Sequence, residues 1–408
     1  MTRVLRYGEG EALHVDPSPG ALVTDLTAPP GEPLADPAAA VEAALADPAD
    51  FPPITKATVR GDRVVLAVDA DVPQLPSVVA GAVRALLAGD VFPEDITVVL
   101  APRGSGRVED KPTSLLPPSM AAEVKIAEHD PGDRDSLSYL AASKENRPIY
   151  VNRLLFDADM VLPIGCLRPE AALGYLGVCG GVFPAFSDEE TRQRFHSPNW
   201  AESAVHRRRY QEESEETTWL LGIQMILQVV PGLGETILHV LAGQGTSVAE
   251  RGRRLCEDTW TYQIPERAGL VVGSIEGGQD EQTWDNLARA IFAALAAVSD
   301  DGAIVLCTDL RCALGPALQR LAVPDDDQSI LRDIRHDRSP DAITATLLME
   351  ARNRAKVYLI SGLDEATVEE LGIGFVTHEE EINRLVRQFD SCILLANAHR
   401  AMLRVAGD

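Results

Sequence analysis

Short apolar, β-branched runs alternate along this chain with longer stretches whose apolar residues recur every three or four positions. VVLAV at 64–68 and ITVVL at 96–100 read as buried strands, and Ser77 to Leu87 between them carries the helical spacing. Together they form a β-α-β unit, which makes the two strands parallel and places ligands beyond their carboxyl ends. The pattern returns in MVLPI at 160–164, followed by a long glycine-containing loop, GCLRPEAALGYLGVCGGVFPAF. A second series begins near Ala268, with strands LVVGSI (270–275), AIVLC (303–307), VYLIS (357–361) and CILLA (392–396). Helices are predicted between them from Trp284 to Val298, around Asp341 to Arg354, and from Glu379 to Phe389. Leu287, Ile291, Leu295 and Val298 fall on one stripe of the first of these helices.

The expected fold class is α/β: two α/β domains with mixed or parallel sheets and a cleft between them, the default place for a ligand. The division falls near Pro265 to Ala268, giving an N-terminal domain over 1–266 and a C-terminal domain over 267–408 whose last residues are free to pack back on the first. Residues 17–60 are rich in Pro, Ala and Asp, and proline breaks long helices and central strands, so a single short helix near Ala38 to Ala46 is expected there. HRRR at 206–209 beside EESEE at 212–216 reads as a solvated helical face with opposite-sign pairs, in preference to a basic docking patch.

Composition sets limits on partners. Among 408 residues, 37 Lys and Arg face 62 Asp and Glu, a net charge of −25 that repels a phosphate backbone and argues against nucleic acid. No apolar run approaches the roughly 18 to 20 residues of a membrane-spanning helix. The first residues have neither the apolar core of a secretory signal nor the Arg and Ser of a transit peptide, so a cytoplasmic protein with no membrane partner is expected. The six cysteines show no CxxC spacing and read as small buried hydrophobes in a reducing compartment.

Common chemical motifs are missing: no GxxxxGK[ST], HExxH, GxSxG or EF-hand loop occurs. Gly104-Ser105-Gly106, after the strand ITVVL, offers backbone N–H groups to an anion, though a tight turn explains it equally well. The eight histidines form no close-spaced ligand pair. His196, in RFHSPNW just past the glycine-rich loop, is a candidate metal ligand or base.

The Tyr7-Gly8-x-Gly10 start, VLAVDADVPQLP at 65–76, VVLAPRGSGR at 98–107, His129-Asp130, Pro148 to Asn152 with Asp159, and the loop ending Gly-Gly-x-x-Pro resemble the nickel-dependent lactate racemase family. The likeness continues through the helix bearing Asn286 and Arg289 and through GAIVLCTDL. The resemblance implies two α/β domains with the site in the cleft. It also implies a nickel-pincer nucleotide tethered as a thioamide to a lysine, with an imidazole completing the nickel's coordination. In that family the cofactor accepts hydride from the substrate's α-carbon, histidines serve as acid and base, and basic side chains hold the carboxylate.

Position by position the match is uneven. Pro169, Gly174, Tyr175 and Gly177 keep the family's loop, but Glu170 stands at the acid–base histidine and Gly180 at the tethering lysine. The neighbouring turn keeps Arg107 and puts Gly106 at the second histidine, while Val72 falls at a substrate arginine. His196 matches the nickel-ligand histidine, and Asn286 and Arg289 replace a Gln and Lys that share one helix face. Glycine cannot form the thioamide, so the cofactor is left open. The expected site is Glu170 and His196 as catalytic groups, His196 also as metal ligand, and Arg107, Arg168, Asn286 and Arg289 around the substrate. Two functions compete: an isomerase of altered mechanism acting on a small carboxylate or 2-hydroxy acid, and a non-catalytic metabolite- or partner-binding paralogue. The expected partner is a small anionic metabolite, with a homo-oligomer also allowed.

Overall fold

A computed structural model describes residues 2–18, 20–102, 111–196, 204–322, 329–330, 332–334 and 339–407. Its strands, in chain order, begin with β1 (Arg3–Tyr7), β2 (Glu11–Val15), β3 (Leu22–Leu26), β4 (Val64–Val68), β5 (Ile96–Leu100) and β6 (Lys125–Glu128). Next come β7 (Leu137–Ala142), β8 (Pro148–Asn152), β9 (Met160–Cys166), β10 (Ile226–Pro231), β11 (Ile237–Gly243) and β12 (Thr261–Ile264). The last are β13 (Ala268–Ser274), β14 (Val298–Cys307), β15 (Lys356–Ile360), β16 (Gly374–Phe375), β17 (Ser391–Leu395) and β18 (Met402–Val405).

Two six-stranded sheets organise the chain. The first has the order β11-β10-β9-β4-β5-β6 and is parallel except for the β10–β11 hairpin. All five residues of β4 are buried, as a strand covered on both faces requires. From β4 the chain steps outward to β5 and β6, then returns to the other side of β4 as β9, so the strand order reverses between β4 and β9. The second sheet, β16-β15-β14-β13-β17-β3, is wholly parallel and reverses between β13 and β17. Such reversals leave a crevice at the carboxyl ends of the two central strands, because the crossover chains leave in opposite directions.

The α/β reading is thus correct, and the strands and helices anticipated after Val64 all form. Residues 17–60 hold more than the single expected helix, Pro37–Ala46: β3 forms the edge of the second sheet, pairing with β17, and a short helix spans Ile54–Ala57. LVTDL has too little alternation to announce an edge strand that gains its hydrogen bonds only from a segment near residue 393. The β1–β2 hairpin also lies on this side, with Leu5, Leu13 and Val15 in one cluster with Leu270 and Val272. At the other end, β18 pairs with β12. The sheets therefore exchange chain segments rather than following one another along the sequence.

The charged stretch near residue 210 lies on the helix Ala204–Leu220, where Arg208 donates to Glu212 at 3.0 Å. All six cysteines are free. No helix among the described residues is long and apolar enough to cross a membrane.

Helix packing beside the first sheet depends on one glycine. Pro37–Ala46 crosses the helix Leu75–Leu87 so closely that a Cβ on Gly81 would lie 2.4 Å from the Ala38 carbonyl oxygen and 2.7 Å from Val41 Cβ. Overpacking of this kind typically costs about 1–3 kcal/mol. Gly81→Ala is expected to lower stability by that amount despite alanine's better helix propensity, measurable as a fall in the urea midpoint at unchanged m.

Candidate active site

The two strand-order reversals meet through side chains. Beyond β4 the chain carries Asp69 and Asp71, and beyond β9 it carries Arg168; Arg168 Nη2 donates to Asp71 Oδ2 at 2.6 Å. Arg289, from the helix Trp284–Ala297 of the second sheet, places Nη1 3.2 Å from the same oxygen. That helix is capped by Thr283, whose hydroxyl accepts the Asn286 N–H, and Asn286 Oδ1 holds Arg289 Nη1 at 2.7 Å. Asn286 Nδ2 in turn donates to both the backbone oxygen and Oε2 of Glu281, each at 2.9 Å.

Glu281 anchors the other end. Its Oε1 accepts from Arg400 Nη2 at 2.9 Å, and His399 Nε2 lies 3.2 Å from its Oε2. Arg400 Nη1 also donates to the carbonyls of Gly232 and Gly234, at 2.5 and 2.6 Å, in the turn between β10 and β11. Arg168 Nη1 reaches across to the His399 carbonyl at 3.4 Å. One polar chain therefore runs from Asp71 through Arg289, Asn286, Glu281 and Arg400 to the β10–β11 turn, crossing between the sheets twice.

Burial decides the charge states along this chain. Burial opposes charge on Arg168, but the neighbouring Asp71 carboxylate foremost, with Glu281, raises its pKa above the ordinary arginine value. Burial likewise opposes ionisation of Glu281, yet Arg400 and His399 hold it at about 2. Asp69 moves the other way, pushed up by burial and by the Asp71 charge. Burial drives His399 down to about 4, so its imidazole is neutral at pH 7. Three guanidinium groups, of Arg168, Arg289 and Arg400, thus face three carboxyl groups, of Asp69, Asp71 and Glu281.

The sequence-predicted residues fall into three groups. Arg168, Asn286 and Arg289 converge on this network. His196, at the end of the helix Glu189–Phe195, sits near Asp285 and Arg289: burial foremost, then Arg192 and Arg289, lower its pKa, and Asp285 opposes them. By surface area the residue is exposed. Its Nδ1 lies 2.9 Å from the Arg192 carbonyl, which can only accept, so Nδ1 carries the proton and Nε2 presents a lone pair. Glu170 follows Arg168 and Pro169 but is exposed. Arg107, with the Gly104–Gly106 turn, lies outside the described residues. Arg168 and Arg289 are not free cations: both are paired with Asp71, so the site is an ion-pair network rather than the set of basic side chains around a substrate that the resemblance implied.

Residues 7–208 match the family described as the lactate racemase N-terminal domain. The whole fold is similar to the lactate racemase apoprotein from Thermoanaerobacterium thermosaccharolyticum, with a TM-score of 0.79 at 15% identity, covering 99% of this chain and 100% of that one. The chain belongs to the lactate racemase family. A protein from Thermotoga maritima solved by structural genomics is also similar, with a TM-score of 0.66 at 15% identity over 92% of this chain and 99% of that one. No curated protein matches.

Within this lactate racemase fold, the residues present do not fit the tethered nickel nucleotide. Gly180 has no amine, and a Cβ there would already sit 3.0 Å from Leu176 Cβ and 3.3 Å from the Gly177 carbonyl. The five lysines, Lys56, Lys111, Lys125, Lys144 and Lys356, are all exposed, and none belongs to this loop. Among the described residues, no three His, Cys, Asp or Glu side chains gather as a metal site.

The sequence reading passed over Asp71, Glu281, His399 and Arg400. Three of them carried a signal: Asp69-Ala70-Asp71 and Asn397-Ala398-His399-Arg400 each follow a buried strand at its carboxyl end, where ligand-binding loops are expected. Glu281 carried none, lying between strand and helix in a turn without a motif.

Removing one member of a buried ion pair leaves the other uncompensated, typically a loss of about 3–5 kcal/mol. Glu281→Ala is expected to destabilise by that order in denaturant titration. The pH dependence follows from His399: the unfolded chain takes up this proton near the ordinary value of about 6.5, the folded protein only near 4. Stability therefore falls as pH drops from 6.5 toward 4. His399→Gln should flatten a plot of melting temperature against pH in that window. The remaining slope would come from His129, His196 and His239, whose pKa values burial also lowers.

Proposed function

We propose that this member of the lactate racemase family binds a small carboxylate between the two strand-order reversals and does so without the family's tethered nickel nucleotide. The observation that supports this reading most directly is Arg289. Its Nη1 makes both internal contacts, while Nε and Nη2 have no hydrogen-bond partner among the described residues and are not sealed from solvent. A guanidinium held by an asparagine and a carboxylate on one edge presents its other edge to a planar anion, the bidentate geometry that carboxylates take.

Isothermal titration with a panel of C2 to C4 carboxylates checks this. Binding is expected in the wild type, with at least a tenfold weaker Kd in Arg289→Gln. Retention of full affinity in that variant sinks the reading.

A second reading, an isomerase of altered mechanism, is favoured by His196. A neutral, exposed imidazole near Arg289, with its proton on Nδ1 and a lone pair on Nε2, has the protonation state of a general base. Turnover of D- and L-2-hydroxy acids, followed by chiral chromatography with and without nickel, separates the readings. Turnover abolished by His196→Gln would establish the enzyme; complete inactivity with carboxylate binding intact would leave a binding protein.

A further inference from the structure

The helix Ala204–Leu220 is fixed to the body of the protein along one side. Ser214, Thr217 and Thr218 are buried, Glu213 accepts from both terminal nitrogens of Arg194 at 2.8 and 2.6 Å, and the Tyr210 ring stacks on Phe195 with centroids 4.5 Å apart. The opposite side carries Val205, Arg208, Glu212, Glu216 and Trp219, at successive spacings of three, four, four and three residues, so they share one stripe. Val205 is 76% exposed and Trp219 75%, more than any other large apolar side chain among the described residues. Single exposed apolar residues are ordinary on a protein surface. The arrangement of these two is not.

Glu212 is the midpoint of the stripe. Seven residues before it stands Val205 and seven after it Trp219; four before stands Arg208 and four after Glu216; three before stands Arg209 and three after Glu215. Each basic position thus mirrors an acidic one, and the apolar positions mirror each other. A two-fold interface brings residue i against residue j and j against i. Two copies of this helix, antiparallel about Glu212, set the basic half of each along the acidic half of the other, with Val205 against Trp219 at both ends. A parallel pair would oppose like charges throughout, and a partner of a single sign would match only half of the stripe. Arg208 can serve such a contact, because its side chain is 81% exposed and only Nε is engaged, on Glu212 at 3.0 Å. The same bond gives each glutamate at the axis a counter-charge. Arg209 and Glu216 already pair with Glu145 and Lys144, between β7 and β8. Exposed pairs of this kind are worth about 0–1 kcal/mol, so a partner's charge can share them.

We propose that the helix Ala204–Leu220 is a homodimer interface, at which two copies of the chain pack these helices antiparallel about a two-fold axis at Glu212. At 1.5 Å per residue, Val205 and Trp219 lie about 21 Å apart along the helix. Contact over that length is at the small end of specific interfaces, so the dimer forms in a concentration-dependent way. Its charged pairs are exposed at the rim and weaken as salt rises. None of the residues on the stripe belongs to the network around Asp71, so the proposal is independent of what that network binds.

Sedimentation velocity of the full chain over a concentration series, in low and in high salt, is the test. The wild type is expected to pass from monomer to dimer, at lower concentration in low salt. Arg208→Glu and Glu216→Arg should each weaken the dimer at least tenfold, because either reversal opposes like charges at two symmetric places; melting curves confirm that both variants fold. Mixed in equal amounts, the two variants carry complementary reversals, and they should form a heterodimer with an affinity within threefold of the wild type's. Trp219→Ala should also weaken association. A wild type that stays monomeric throughout the series, a dimer that neither reversal weakens, or variants that remain monomeric when mixed overturns the proposal.

Discussion

The buried pair of Glu281 and Arg400 is the constraint on which the rest of the site depends. Arg400 leaves the end of the second sheet, caps two carbonyls in the β10–β11 turn of the first, and returns its remaining charge to Glu281. Glu281 can then receive Asn286, and Asn286 can orient Arg289 toward Asp71. No member of this chain can be removed without stranding a charge or a donor in a region with little water. Such buried networks add little net stability over apolar packing, because desolvation cancels much of their attraction. What they supply is a defined relative position for two sheets that share no strand.

That positioning does not draw on Gly180 or Glu170, the loop residues that the sequence resemblance sets at the family's tether and at one of its acid–base histidines. Asp71, beyond β4, gathers Arg168 and Arg289 from the two sheets. The cleft keeps cations at its centre, but they are held by an internal carboxylate, and their spare donors are what remains for a ligand.

Much of the fold was legible because buried parallel strands write themselves as continuous apolar runs. VVLAV, ITVVL, MVLPI and AIVLC need no partner to be recognised, and the stripe of Leu287, Ile291 and Leu295 marks a helix against them. The edges were not legible. β3 and the β1–β2 hairpin are short and mixed in polarity, and they earn their conformation from strands hundreds of residues away. In the site, Arg168, Asn286 and Arg289 could be singled out, whereas Glu281 sits in a stretch that looks like any polar turn.

The sequence by itself determined the α/β class, the central strands of both sheets, and the absence of a lysine from the loop after β9, since each depends on local composition. Only the tertiary structure decided that Leu22–Leu26 forms the edge of the second sheet and that Asp71 draws arginines from both halves. Those facts depend on which strand ends meet in space, and hydrogen bonding between segments so distant in the chain leaves no periodicity for a sequence to display.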